Sequence, residues 1–351
     1  MPPTIKEQRN TMRTIVRILI LTGLLSACSD QREGSALQGS ALVVSSPLIM
    51  KEKDCFNWGE NYAQWIKAFM GERSSPQFQQ RIEQDIPPTL YEKYRTELVC
   101  KRFVYRVDGL DIEGIYTAPK QVKGKTPALI FNRGGNGSFG KIKPGIVLNK
   151  MLPLASEGYF VIASQYRGAG LNNNNGFDEF GGRDIHDVLA LLDIIDATTG
   201  VDPQRIGLYG WSRCGMMAFL AAKHSDRFSA IVVGGAPTDL WAEVQTGLRP
   251  EMERNVFRKR IPNYQQDKQQ TLIDRSVVYW LDELKSPAPI LILHGDNDQK
   301  VRVENALSLA EKLAARTYPH KLVIYKQGDH GLTRHKQQVH QETIDWLRKY
   351  L

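Results

Sequence analysis

Six short apolar runs recur through the C-terminal part of the chain: Ala128–Phe131, Phe160–Gln165, Ile206–Tyr209, Ala230–Val233, Ile290–Leu293 and Leu322–Tyr325, alternating with longer stretches of helical spacing. Runs with no polar alternation are what strands buried on both faces look like, and strands alternating with helices demand a mostly parallel sheet. Ahead of them, Phe103–Val107 and Leu110–Tyr116 flank Asp108-Gly109, a hairpin pattern that would supply an antiparallel edge. The expected fold class is therefore α/β, a mostly parallel central sheet with helices on both faces.

The alternation organises the rest of the chain. Residues 101–351 read as one large domain, interrupted over 239–285 by a polar, helical insertion. An insertion at that point is expected to lie as a lid over the strand C-termini, where open α/β sheets bind ligands. Its Trp241, Tyr279 and Trp280 would either line an apolar pocket or form the insertion's own core. Residues 51–100 read as a helical segment: Phe56, Trp58, Tyr62, Trp65, Ile66 and Phe69 recur near a helical period, and a second helix over Pro76–Gln84 is stopped by Pro87-Pro88. Residues 28–50, rich in Ser, Gly and Gln, read as a flexible tether.

The first 27 residues have the form of an export signal, with Arg13 and Arg17 before the apolar run Ile18–Leu25 and then small residues; Met1 or Met12 would serve as its start. Leu25-Ser26-Ala27-Cys28 resembles the lipobox of bacterial lipoproteins, which implies cleavage before Cys28, lipid on its thiol and a membrane anchor. With Ser29 rather than Asp next, the same sorting rule implies the periplasmic side of an outer membrane. The formal charge of +8 overstates the mature protein, because residues 1–27 hold Lys6, Arg9, Arg13 and Arg17 against Glu7, leaving +5 after processing. Basic residues are interleaved with acidic ones, and the densest cluster, Arg254–Arg260, reads as a solvated helix face, so no nucleic-acid partner is expected. Export would place Cys55 and Cys100 where they either bond or remain two buried thiols.

Chemistry concentrates in three stretches. In Ile206–Gly215 a strand meets a helix at Ser212, with Gly210 two residues before it and Cys214 rather than glycine two after, followed at once by Gly215. A serine at such a turn projects its hydroxyl above the sheet, provided its flanks are small. Cys214 itself falls inside the helix start and is the weaker nucleophile candidate. The strand Ile290–Leu293 runs into a carboxylate-rich loop in which Asp296 or Asp298 would orient a histidine. Of seven histidines, His330 is the one in a glycine-bounded loop after the last strand, between Gly328 and Gly331. Stabilising developing charge also needs amide donors. Gly134 or Gly135, in the loop after Ala128–Phe131, and Arg213, just after the nucleophile, are the candidates for that oxyanion hole.

Asn132–Asn136, Tyr166-Arg167-Gly168, Asp178–Gly182 with Asp184 and Asp187, Gly210–Arg213 and the two downstream loops together resemble the catalytic domain of prolyl-oligopeptidase-type serine peptidases, across residues 101–351. The resemblance implies the α/β-hydrolase fold and acyl transfer through a serine ester, without metal or organic cofactor. It also places the catalytic acid on Asp298, by the pattern H-G-x-x-D-x-x-V at His294–Val301, and leaves Asp296 as a turn residue bonding nearby amides. Peptidases of this kind carry a β-propeller ahead of the catalytic domain, which the residues between Cys28 and Lys101 are too few to build. The expected activity is hydrolysis of a short peptide, with a carboxylesterase acting on small esters as the alternative and a non-catalytic binding lipoprotein as the alternative of another class.

Overall fold

The structure is a computed structural model that describes residues 40–57, 59–70, 75–169 and 174–351. The export signal, Cys28, Trp58 and the first part of the expected tether lie outside the described residues. Among the described residues, nine strands form one sheet in the order β13-β12-β11-β10-β7-β8-β5-β4-β3. These are β3 (Ile49–Asp54), β4 (Leu98–Val107), β5 (Leu110–Pro119), β7 (Thr126–Phe131), β8 (Phe160–Ser164), β10 (Val201–Trp211), β11 (Phe228–Gly234), β12 (Ile290–Gly295) and β13 (His320–Tyr325). Every pair from β13 to β8 is parallel, and β8-β5, β5-β4 and β4-β3 are antiparallel.

Side chains of the parallel strands alternate between two cores, as the two-residue strand period requires. Ala128, Ile130, Ile206, Leu208, Ile290 and Ile292 face one core, beneath helices Asp184–Asp196, Arg213–His224 and Glu304–Ala315. Leu129, Phe131, Tyr209, Leu291 and Leu293 face the other, where helix Lys336–Tyr350 packs together with Trp65, Tyr91 and Tyr94 of the N-terminal helices.

Three expectations about the N-terminal region change. Residues 40–50 are not a free tether: β1 (Ser40–Ala41) pairs with β6 (Gln121–Val122), and β2 (Val43–Val44) pairs with β9 (Thr198–Thr199). The hairpin β4-β5 is not the sheet edge, because β3 covers β4. Residues 51–100 hold part of that strand as well as helices, and a third helix, Pro88–Glu97, follows the proline pair. Proline in the first helical turn lacks only an amide that would have no intrahelical acceptor, so Pro88 starts this helix while ending the region before it. Cys55 and Cys100 are disulfide-bonded, with Cα atoms 5.3 Å apart, tying the end of β3 to the start of β4.

Candidate active site

Ser212 stands between β10 and helix Arg213–His224 with φ 60° and ψ −130°, a conformation that L-residues rarely adopt. Its amide donates to Gly234 O at 2.7 Å, and Gly215 N donates to Ser212 O at 2.9 Å, so the turn is clamped on both sides. Glycine is required at 210, because a Cβ there would lie 2.2 Å from the Cys214 carbonyl oxygen. The departure at Cys214 is explained by the next residue. Close approach to β11 falls on Gly215, whose added Cβ would sit 2.4 Å from that of Ala236, while the Cys214 side chain turns into a buried space beside Gly134. Burial pushes the Cys214 thiol up to about 12, which removes it as a nucleophile near neutrality.

Asp298 follows β12 and is buried. Its Oδ1 accepts the amides of Lys300 (2.8 Å) and Val301 (3.0 Å), and its Oδ2 accepts His330 Nδ1 at 2.7 Å. Burial opposes its ionisation, but hydrogen bonds from His294, His330 and those two amides outweigh this and hold it well below the usual carboxylate range. An ionised carboxylate only accepts, so the proton between the pair sits on His330 Nδ1 and Nε2 is left as the basic nitrogen. Asp296 is exposed, and its carboxylate makes no hydrogen bond among the described residues. The amide-bonding role expected of Asp296 belongs to Asp298 itself. His294 is buried with Nε2 2.9 Å from Val301 O and 3.4 Å from Asp298 Oδ2, so it holds Asp298 from behind.

His330 is half-buried and fixed through its backbone, since its carbonyl accepts Trp211 Nε1 at 2.6 Å. Its loop meets the Asp298 loop through two glycines: a Cβ on Gly295 would stand 2.1 Å from Gly328 O. Ser212, His330, Gly134, Gly135 and Arg213 line one cavity of about 530 Å³. The Arg133 amide donates to Tyr166 Oη at 3.1 Å and is thereby occupied. Gly134 lies against the elbow, with its Cβ position 3.5 Å from Cys214 Sγ and 3.6 Å from Trp211 O, whereas Gly135 packs on Phe139 and Gly140. Arg213 opens its helix, where an amide has no intrahelical acceptor.

Beneath the elbow lies an ion cluster whose members the sequence motifs contained but whose contacts they did not reveal. The Arg213 guanidinium donates to both oxygens of Asp178 at 2.7 Å, to Asp184 at 2.5 Å and to Gly135 O at 2.7 Å. Asp178 also accepts the amides of Gly137 (2.6 Å) and Phe180 (2.8 Å). Arg133 fans out to the carbonyls of Gln165, Gly134, Phe139 and Gly137. Arg167 grips Asp187 by two nitrogens in a further buried pair. The cluster fixes the loops that form the cavity wall.

From the insertion, Leu240, Glu243, Arg249, Met252 and Phe257 reach the cavity, and the three expected aromatics do not. Trp280 is buried with Nε1 donating to Ile273 O at 3.0 Å, Trp241 packs on the main core, and Tyr279 is exposed with its hydroxyl on Asp239. Tyr279 and Trp280 thus bond within the insertion, and Trp241 joins it to the main core. Within the Arg254–Arg260 cluster, Arg260 is not simply solvated, since its Nε donates to Asn136 Oδ1 at 2.9 Å on the cavity rim.

A mostly parallel sheet under helices, with Ser212, Asp298 and His330 on loops at the C-terminal ends of β10, β12 and β13, defines a serine hydrolase of the α/β-hydrolase fold. The chain belongs to the prolyl oligopeptidase family of serine peptidases, whose family model matches residues 147–351. It is 26% identical over 267 residues to the uncharacterized peptidase YtmA of Bacillus subtilis (strain 168), covering 74% of this chain and 96% of that one. It is also 26% identical over 220 residues to dipeptidyl peptidase 8 of Homo sapiens, covering 59% of this chain but 23% of that protein. Among solved structures, the acylaminoacyl peptidase of Pyrococcus horikoshii superposes with a TM-score of 0.62 at 21% identity, over 75% of this chain and 43% of that one. The chain thus spans nearly all of the first relative and less than half of the other two.

Proposed function

We propose that the protein hydrolyses short peptides through a serine ester, with Ser212 as nucleophile, His330 as general base and Asp298 as the acid that orients it. The observation that carries this reading is the 2.7 Å bond to Asp298 made by a His330 that shares its cavity with Ser212. In this scheme His330 Nε2 takes the Ser212 proton as Oγ attacks the carbonyl carbon, and the amides of Gly134 and Arg213 receive the oxyanion. Collapse breaks the C–N bond as His330 returns the proton to the leaving amine. Water then repeats the sequence on the acyl ester and frees Ser212. The apolar wall of Leu240, Met252 and Phe257 would suit the acyl chain of a small ester equally well, so carboxylesterase is the second reading. A fluorophosphonate probe should label wild type and not Ser212→Ala; a folded wild type that stays unlabelled would instead be a binding module. The ratio of kcat/KM for aminoacyl arylamides to that for acyl esters then separates peptidase from esterase.

The same reading includes export and lipid attachment at Cys28, supported by the signal-like N-terminus and by a disulfide suited to an oxidising compartment. No helix among the described residues is long and apolar enough to cross a membrane. Cys28→Ser should yield unlipidated protein, and recovery of the wild type as a lipid-free species would refute the anchor.

A further inference from the structure

Lys150 lies in the wall of the cavity that Ser212 and His330 share, with its ammonium 5.6 Å from the centre of the Trp211 ring. It is carried by a π-helical turn, Val147–Met151, a wide turn that is rare in proteins and recurs at functional sites. Among the described residues its Nζ has neither an ion pair nor a hydrogen bond. The other charge acting on it is a second cation, Lys336, itself 3.6 Å from Asp85. Burial first, then the Lys336 charge, holds the Lys150 ammonium below its usual pKa. A half-buried cation without a counter-ion is unfavourable until an anion reaches it.

Trp211 ties this cation to the chemistry. It directly precedes Ser212, and its indole nitrogen holds the His330 carbonyl, so Lys150 stands on the His330 side of the cavity. A general acid must come within hydrogen-bond reach of the group that leaves, and the departing half of the substrate therefore occupies that side. In a peptide, that half ends in a carboxylate. One to three residues span at most about 11 Å, which keeps a C-terminal carboxylate near the scissile bond.

Building on the function proposed above, we propose that Lys150 is the anion subsite for the C-terminal carboxylate of the leaving peptide, so that the enzyme selects short peptides with a free C-terminus cut near that end. The test compares tripeptides having a free C-terminal acid with the same tripeptides amidated. In wild type the acid is expected to be favoured in kcat/KM by about tenfold, through KM. Lys150→Met should bring the acid-to-amide ratio to about 1, and Lys150→Arg should keep most of the preference. A wild-type ratio near 1 would overturn the subsite, as would a ratio unchanged in Lys150→Met while its melting temperature falls, which is the outcome for a lysine that only packs on Trp211. If no peptide is cleaved, the peptidase reading fails by itself. The subsite is then read from acetate esters of 4-hydroxybenzoate and 4-hydroxybenzamide, where loss of the preference for the carboxylate ester in Lys150→Met upholds it and no preference in wild type refutes it.

Discussion

Ser212 holds a backbone conformation that its own Cβ resists, and the clamp from Gly234 and Gly215 maintains it. Replacing it separates chemistry from strain. Ser212→Gly and Ser212→Ala should both be inactive, yet the glycine variant should be more stable than the alanine variant by about 1 kcal/mol. Denaturation midpoints measure this, and an alanine variant that is the more stable would mean the turn is unstrained. Around the same residue, His330→Ala and Ser212→Ala should each lower kcat by about 10⁴-fold or more, with their double mutant little worse, because the three residues act as a unit. Asp298→Asn should cost a comparable or smaller factor, and Asp296→Asn, at an exposed position, should leave kcat/KM near wild type. The reverse order for the two aspartates would displace the acid. Spacing and residue type singled out Ser212 and His330 in sequence as the proposed nucleophile and base, but did not decide between two aspartates two residues apart. The family pattern favoured Asp298, and what supports that proposal is burial and the amides of Lys300 and Val301, which exist only once the loop is folded.

The helix that begins at Arg213 is bolted to the loop wall by charge. In Asp178 burial disfavours ionisation, but the Arg213 charge and hydrogen bonds, with the amides of Gly137 and Phe180, more than offset it and hold the folded carboxyl well below its usual range. The sign follows directly. A carboxyl depressed by folding contributes stability that is complete above its unfolded value of about 3.9 and drains away as pH falls below it. Asp178→Asn should therefore destabilise the protein at pH 7 by about 3 kcal/mol, with the deficit shrinking in strong acid. Denaturant titrations at several pH values would show it, and a deficit that does not change with pH would exclude the ionic origin. Elements differed in how readily they could be read. β7, β8, β11, β12 and the Ile206–Gly210 part of β10 are short apolar runs because both their faces are covered or nearly so, whereas β13, at the sheet edge, keeps an apolar run only over Leu322–Tyr325. β3 reads Ile-Met-Lys-Glu-Lys-Asp, exposed at the sheet edge with no buried face to impose alternation, and was invisible for that reason. Helix Pro88–Glu97 was hidden by the same proline pair that was taken only as a stop.

At the scale of the molecule, the Cys55–Cys100 bond closes a loop of 45 residues containing the three N-terminal helices. Loop-closure entropy assigns this constraint about 4 kcal/mol at most. A Cys55→Ser/Cys100→Ser double variant should lose stability up to that amount and keep its fluorophosphonate labelling, since the bond lies away from the cavity-lining residues. Abolished labelling in a folded double variant would show instead that the N-terminal layer shapes the site. With the insertion walling the cavity, small substrates should be turned over and intact folded proteins left uncut by the purified enzyme. Ser212-dependent digestion of a folded protein would defeat that expectation.

The two small strand pairs at the start of the described chain have a geometric corollary. β6 and β9 immediately precede β7 and β10, and so sit at the ends of those strands remote from Asn132 and Ser212. β7, against which β10 is bulged, runs six residues between the two ends, roughly 20 Å at the usual rise per residue. Residues 40–44 therefore meet the body on its underside. The first described residues thus enter the fold at the pole opposite the mouth of the cavity, and substitutions there should leave substrate access untouched.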